Sequence, residues 1–396
     1  MTLPLNGVRV LAVEQYGAGP FGTMFLADQG AEVIKIENPN DGGDMSRAVG
    51  PHFFTPGDSE FFHSLNRNKK SLTLDLNRPQ GQAVLHDLVR SADALASNLR
   101  GDVPARLGLV HERLKRVNPK IVCAHLSAYG RTGPRAGWPG FDYLMQAEAG
   151  YFSLTGEPGT PPARFGLSVV DLMSGLALAY ALLAALTSAR ATGTGRDIDV
   201  SLFDIAIANT CYLATWYLNE GVVTGRLPRS AHPVLTPCQL YRTRDGWIYI
   251  MCNKEKFWPA LCGKLGRPDW SEDPRFRRFP DRLRHRDLLT DMIDRELAGR
   301  TTREWLEHFA GVVPAAPVND LAQALDNPFV TQHGRLQTLP HRQRGSYRMV
   351  ASPVRCAGDE SPARPAPALG EHTDEVLRGI GYDDARIRAL RDSKVI

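Results

Sequence analysis

The chain lacks the usual markers of several protein classes. Its six cysteines (Cys123, Cys211, Cys238, Cys252, Cys262 and Cys356) form no C-x-x-C pair and no cysteine–histidine pair at ligand spacing. That argues against a zinc site and for a reduced, cytoplasmic protein with structural thiols. No excess of one charge is present either: 47 Lys and Arg against 43 Asp and Glu give a net charge of +4. So even a balance excludes a nucleic-acid binder, although it suits a small anionic ligand. The opening residues, MTLPLNGVRVLAVEQYG, carry no basic leader and no cleavage site, so no export signal is expected. Internal repeats and low-complexity tracts are missing. Only one run is long and apolar, Leu172 to Ala189, and it includes Ser174, Gly175 and Thr187. With no companion span, it is expected to be a core helix and not a membrane anchor.

What remains is ordinary globular chain of 396 residues, 43% hydrophobic and 23% charged, with room for two domains. Its first half alternates strand and helix. GVRVLAV (Gly7 to Val13) reads as a buried strand, Pro20 to Asp28 as a helix and AEVIKIE (Ala31 to Glu37) as a second strand. SLTLDL, Asp93 to Leu99, Ile121 to Leu126 and the alternating Asp197 to Phe203 follow as strands, with helices expected over Asn77 to Ser91 and Pro104 to Asn118. The pattern predicts an α/β fold: a Rossmann-like, doubly wound large domain whose ligand sits at the carboxyl ends of the strands.

Two features of this half carry chemistry. The first turn reads Gly17-Ala18-Gly19-Pro20-Phe21-Gly22, a G-x-G-x-x-G, with Glu37 twenty residues beyond Gly17 at the end of the second strand. That is the spacing of a dinucleotide site, and equally of a tight strand-to-helix turn that needs small residues. The second feature is Asp171. It follows a strand-like stretch, Leu167 to Val170, and stands at the mouth of the eighteen uncharged residues from Leu172 to Ala189. An Asp there serves as a helix N-cap. It also serves as a carboxylate nucleophile beside helix-end amides. The spacing alone leaves both readings open.

The second half changes character. Cys238 to Asn253 reads as two strands hinged at Arg244-Asp245-Gly246, followed by short amphipathic helices, which predicts a smaller α+β domain. The division expected is 1–205 for the first part of the large domain, 206–228 for a linker helix and 229–318 for the small domain. A return linker, 319–352, and a C-terminal part of the large domain, 353–396, complete it.

Several blocks, in order along nearly the whole chain, resemble the class III CoA-transferases of the CaiB/BaiF type, the family of formyl-CoA transferase and carnitine CoA-transferase. They are AGPFGTMFLADQGAEVIKIE, NRNKKSLTLDL, the loop from Asn98 to Leu109, YGRTGP with PGFDY, VVDLMSGLALAYALLAAL with TGTGRDIDVSLFD, and LGEHTDEVL. The resemblance implies an enzyme that moves CoA from an acyl-CoA donor to a carboxylic acid, with Asp171 as nucleophile. Aspartyl anhydride and aspartyl-CoA thioester would be its intermediates. No metal is required. It implies CoA contacts at Gly17, Ala18, Leu74, Asn98, Leu99, Arg100 and Arg106, and support from Asp142 and Tyr129. It further implies an interlocked homodimer. Asn38 and Pro139 stand where formyl-CoA transferase is basic, with Arg47 and Arg100 as replacements. Where that enzyme has a glycine-rich lid, this chain reads RSAHPVLTP (Arg229 to Pro237). Succinyl-CoA is the expected donor, because the order of motifs also resembles succinyl-CoA-dependent relatives.

Two rivals share these residues. The α-methylacyl-CoA racemases have the same fold but pair the aspartate with a histidine. Here Phe141 stands at the histidine's place in GFDY, and His125 lies in a strand pattern as a packed core residue. An NAD(P)-dependent oxidoreductase would use Gly17 to Gly22 with Glu37, and it accounts for nothing after residue 50.

Overall fold

A computed structural model describes residues 3–355 and 363–396, and Cys356 lies outside them. The chain forms two compact units. The first comprises Met1–Ala149, Gly166–Cys211 and Gln332–Ile396. The second comprises Gly150–Phe165 and Tyr212–Thr331.

In the first unit six strands form one parallel sheet: β1 (Arg9–Val13), β2 (Glu32–Glu37), β3 (Lys70–Thr73), β4 (Ala94–Ser97), β5 (Val122–Ser127) and β6 (Asp197–Ser201). Their order is 3-2-1-4-5-6, with Leu11 of β1 paired to Ile34 of β2 on one side and to Leu95 of β4 on the other. The central strands are covered on both faces, so VLAV and ALAS are buried throughout and do not alternate apolar with polar. The order reverses between β1 and β4. The loops that leave their carboxyl ends part there, and in such sheets that crevice holds the ligand.

The helices that matter for this crevice are α1 (Ala18–Asp28), α2 (Pro79–Val89), α3 (Asp142–Glu148) and α4 (Val169–Thr192). The helix α4 starts earlier than its uncharged run suggests: Val169 and Val170, expected to end a strand, are its first residues. Ser168 is the N-cap residue and Asp171 lies inside the first turn, so Asp171 does not cap. The helix ends at Gly193, which takes the left-handed conformation (φ 74°) and donates its amide to Ala189 O. Its composition suggests burial all round. In fact Val170, Ser174, Leu178, Leu182 and Ala189 lie on a buried stripe, while Met173, Leu176 and Tyr180 on the other side are exposed, Tyr180 by 75%. By length and composition α4 would cross a membrane. Its buried stripe is packed in this unit instead, against α1 above all. A Cβ on Gly22 of α1 would stand 2.2 Å from Gly175 O of α4, and one on Gly175 would stand 2.4 Å from Ala18 O. Glycine at both positions lets the two backbones touch.

The C-terminal helices Thr373–Gly379 and Asp384–Asp392 close the first unit. Leu377, Ile387 and Val395 join Leu72, Leu85 and Leu88 in one core, and Asp75 donates its amide to Val395 O at 2.8 Å. Burying each such side chain contributes on the order of 2 kcal/mol.

Two expected helices are broken. Pro104 to Asn118 becomes Val103–Arg106 and His111–Leu114, because Gly108 between them adopts φ 70°. The linker helix expected within 206–228 becomes Leu202–Ala208 and Cys211–Glu220, with Cys211 itself at φ 47°.

The second unit holds an antiparallel three-stranded sheet, with Ala315–Pro317 and Cys238–Arg242 flanking Trp247–Met251. The hairpin turns at Thr243 to Gly246, where expected. Its core gathers Tyr241, Ile248, Ile250, Trp258, Phe276 and Leu289. Cys238, Cys252 and Cys262 are buried free thiols, as is Cys123 in the first unit, while Cys211 is exposed.

Candidate active site

Asp171 faces the end of β1. Its Oδ2 stands 2.9 Å from where a Cβ on Gly17 would sit, so only glycine fits there without displacing the carboxylate. Among the described residues its carboxyl accepts no hydrogen bond. Burial raises its pKa to about 7, and the neighbouring Asp142 carboxyl adds to the rise. Asp142, the first residue of α3, is itself buried. Its Oδ2 accepts the Asp171 amide at 2.9 Å, and its Oδ1 accepts Gln146 Nε2 at 2.6 Å. One carboxyl thus holds the backbone of the other and opposes its ionisation.

The amides opposite are open. Gly17, Ala18 and Gly19 donate to no acceptor among the described residues, and Pro20 has no N–H to give. The first taken amide is that of Phe21, which donates to Gly17 O at 3.0 Å. The N-terminal end of the eleven-residue helix α1, with these unpaired amides, stands beside the Asp171 carboxyl and is nearest to it at Gly17. A cavity of about 200 Å³ opens beside them. Of the residues expected from sequence, Gly17, Ala18, Asn98, Leu99, Arg100 and Asp171 line it. Asn98 ties its two rims together, accepting from Gln15 N at 2.8 Å and donating to Gln15 O at 2.7 Å. The space admits an acyl group and the end of a thioester arm but not a whole CoA ester. The phosphate end must lie outside.

Other expected contacts lie elsewhere. Leu74 is 1% exposed, a core residue under β3, so its side chain offers no ligand surface. Tyr129 does not line the cavity: its hydroxyl donates to Glu148 at 2.8 Å beside Arg135. Arg106 is exposed at the end of Val103–Arg106, outside the cavity and in no ion pair among the described residues. Arg100 forms a two-pronged pair with Asp102, and Arg47 one with Glu37. Arg47 therefore cannot serve as a free replacement for a lost phosphate contact. The same pair answers the dinucleotide reading of Glu37. Burial pushes its carboxyl up, but Arg47, Lys35 and the Ser71 hydroxyl outweigh this and hold it below the usual range. Every lone pair a ribose would need is engaged by the protein.

Sequence reasoning missed Tyr16, Met45, Ser127 and Trp138, which also line the cavity, as does Phe141. The Ser127 hydroxyl is buried without a partner among the described residues. Phe141 brings no titratable group to the site. His125 is a core histidine, held between Ser97 Oγ at 2.9 Å and Asp197 Oδ1 at 3.1 Å. A cluster of metal-ligand type lies apart, where Asp58 receives His63 Nε2 at 2.7 Å and His341 Nε2 at 2.8 Å. His341 Nδ1 accepts the amides of Gln343 and Arg344. That assigns the His341 proton to Nε2, facing Asp58.

A doubly wound parallel sheet with a desolvated carboxyl at its switch point defines an α/β protein with a candidate nucleophile where such sheets bind ligands. Residues 5–373 match the sequence pattern of CoA-transferase family III. The chain is 34% identical over 386 residues to succinate–glutarate CoA-transferase of Agrobacterium fabrum, covering 94% of this chain and 95% of that one. It is 35% identical over 389 residues to acetyl-CoA:oxalate CoA-transferase of Acetobacter aceti, covering 97% of each. Among solved structures, a CaiB/BaiF family protein from Brucella suis superposes with a TM-score of 0.80 at 29% identity, over 96% of this chain and all of that one. The chain belongs to CoA-transferase family III. It is a CoA-transferase, and its substrates are acyl-CoA thioesters and carboxylic acids.

Proposed function

We propose that Asp171 is the nucleophile through which CoA passes from donor to acceptor. An Asp171 oxygen attacks the donor thioester carbonyl, the C–S bond breaks, and CoA leaves as thiolate from an aspartyl–acyl anhydride. The thiolate attacks Asp171 Cγ, which breaks the anhydride, frees the donor acid and leaves an aspartyl-CoA thioester. The acceptor carboxylate then attacks Cγ and expels the thiolate, which takes the acceptor's acyl carbon and returns Asp171 as a carboxylate. No proton is gained or lost. One observation carries this reading: the carboxyl is desolvated, accepts no hydrogen bond among the described residues and stands beside Gly17 at the N-terminal end of α1. Desolvation sharpens a carboxylate nucleophile, and the amides are donors for the oxyanions that form in each step. Turnover of Asp171→Ala tests it. A loss of at least about a thousandfold with an unchanged fold is expected, and near wild-type turnover contradicts the assignment.

Succinyl-CoA is the donor we infer, with a small dicarboxylic acid as acceptor. The relatives named for succinate, glutarate and oxalate support that class. A screen of donors against glutarate, oxalate and monocarboxylic acids, read by CoA-ester formation, decides it.

The same reading includes an interlocked homodimer. Helix Cys211–Glu220 is rich in apolar residues and buries none of them, with Leu218 exposed by 78%. Leu321 and Phe329, in the chain that returns to the first unit, are exposed as well. Both connecting segments therefore expose apolar side chains, as arms that wrap a second copy would.

A further inference from the structure

Tyr16, immediately before Gly17, has φ 67°, a left-handed backbone that a residue with a Cβ rarely adopts. Its amide explains how the conformation is held. Tyr16 N donates to Asp44 Oδ1 at 2.9 Å, and Ser46 N donates to the same oxygen at 2.8 Å. The other oxygen, Asp44 Oδ2, lies 2.8 Å from Lys35 Nζ, and both side chains are wholly buried. Lys35 Nζ also donates to Glu14 O at 3.0 Å, on the residue that follows β1. The amide of Asp44 is in turn held by Glu37 Oε2 at 3.0 Å. A charged network thus runs from β2 to the turn that meets Asp171, yet Asp44 is 3% exposed and does not line the cavity. It cannot touch substrate.

We propose that Asp44 is a positioning residue for the transfer reaction: anchored by Lys35, it holds Tyr16 left-handed and so sets Gly17 and the start of α1 against the Asp171 carboxyl. The inference rests on Asp171 being the nucleophile. Relaxation of Tyr16 to an ordinary backbone would swing Gly17, whose Cβ position is already only 2.9 Å from Asp171 Oδ2, into or away from the carboxylate. Misplacement by about 1 Å is enough to cost on the order of a hundredfold in rate.

The test uses the full-length enzyme and four variants: Asp44→Asn, Asp44→Ala, Tyr16→Gly and the double variant Asp44→Ala/Tyr16→Gly. Two quantities are read, the rate at which succinyl-CoA labels the Asp171 peptide, by mass, and steady-state kcat and KM. Asp44→Ala should slow labelling and kcat by about thirtyfold or more while KM moves by less than about threefold. Glycine takes the left-handed conformation unaided, so the double variant should label at least about fivefold faster than Asp44→Ala. If Asp44→Ala does not fold, Asp44→Asn carries the test. It keeps an oxygen for Tyr16 N but loses the Lys35 anchor, and labelling should fall by about three- to tenfold. Wild-type labelling in the Asp44 variants that fold, a rise in KM alone, or no recovery in the double variant overturns the proposal and leaves Asp171 untouched. Transfer by the wild type without any label on Asp171 overturns both.

Discussion

At Asp171 function and stability pull in opposite directions. The folded carboxyl keeps its proton up to about pH 7, held there by burial first and by Asp142 second. An unfolded Asp loses its proton near 4. Between those values the folded state binds more protons than the unfolded one, so stability falls as pH rises through that window and levels off above it. Replacing Asp171 by Asn removes the effect. Thermal or urea unfolding should find Asp171→Asn more stable than wild type at pH 8, by on the order of 2 kcal/mol beyond any gain at pH 5. Equal gains at the two pH values would mean the carboxyl is not desolvated. Chemistry runs the other way, since only the carboxylate attacks. The kcat/KM of the wild type should climb from pH 5.5 with a midpoint about 7 and flatten above 8. In Asp142→Asn the midpoint should move down, because the opposing charge is gone. A profile flat across that range, or one that Asp142→Asn leaves in place, contradicts this electrostatic account.

Element by element, the site depends on how closely α1 and α4 approach. Their glycines, Gly22 and Gly175, set that distance. Gly22→Ala should destabilise the protein by about 3 kcal/mol or more, since the new methyl meets backbone and not a movable side chain. Gly263→Ala, in a helix where a Cβ meets nothing within 4 Å, is the matched control and should be neutral or stabilising. Similar losses in both would remove the close contact as the cause. At this scale much could be read from sequence. The six strands and the turn at Gly17 follow from apolar runs and glycine spacing, and Asp171 was marked by the uncharged stretch behind it. What sequence could not give was decided by packing. The start of α4 was misread because Val169 and Val170 look like strand. The break at Gly108 depends on one left-handed residue. Glu37 looked like a ribose acid because no local pattern pairs it with Arg47, ten residues on and folded back against it. Tyr16 and Asp44 carry no motif at all; their roles exist only once β1, β2 and the turn after β2 are brought together.

For the whole molecule, the exposed apolar residues of α4 and of the connecting segments are what the proposed interlocked dimer would cover. Two copies interlocked through those segments should bury well over the roughly 2,000 Å² at which obligate interfaces begin, and folding should then depend on association. Sedimentation of the purified protein should give a dimer throughout, with unfolding shifted to lower temperature on dilution. A folded, active monomer at nanomolar concentration would contradict the interlocked arrangement while leaving the chemistry at Asp171 intact.

That chemistry is the central claim, and one measurement tests it most directly. The enzyme is mixed with succinyl-CoA and no acceptor, quenched in acid, digested and weighed by mass spectrometry. The account predicts that the peptide spanning Asp171 gains the mass of CoA less one water, that the added mass disappears when a carboxylic acceptor is supplied before the quench, and that Asp171→Asn never acquires it. Transfer activity in an enzyme whose Asp171 peptide stays unmodified throughout turnover would contradict it.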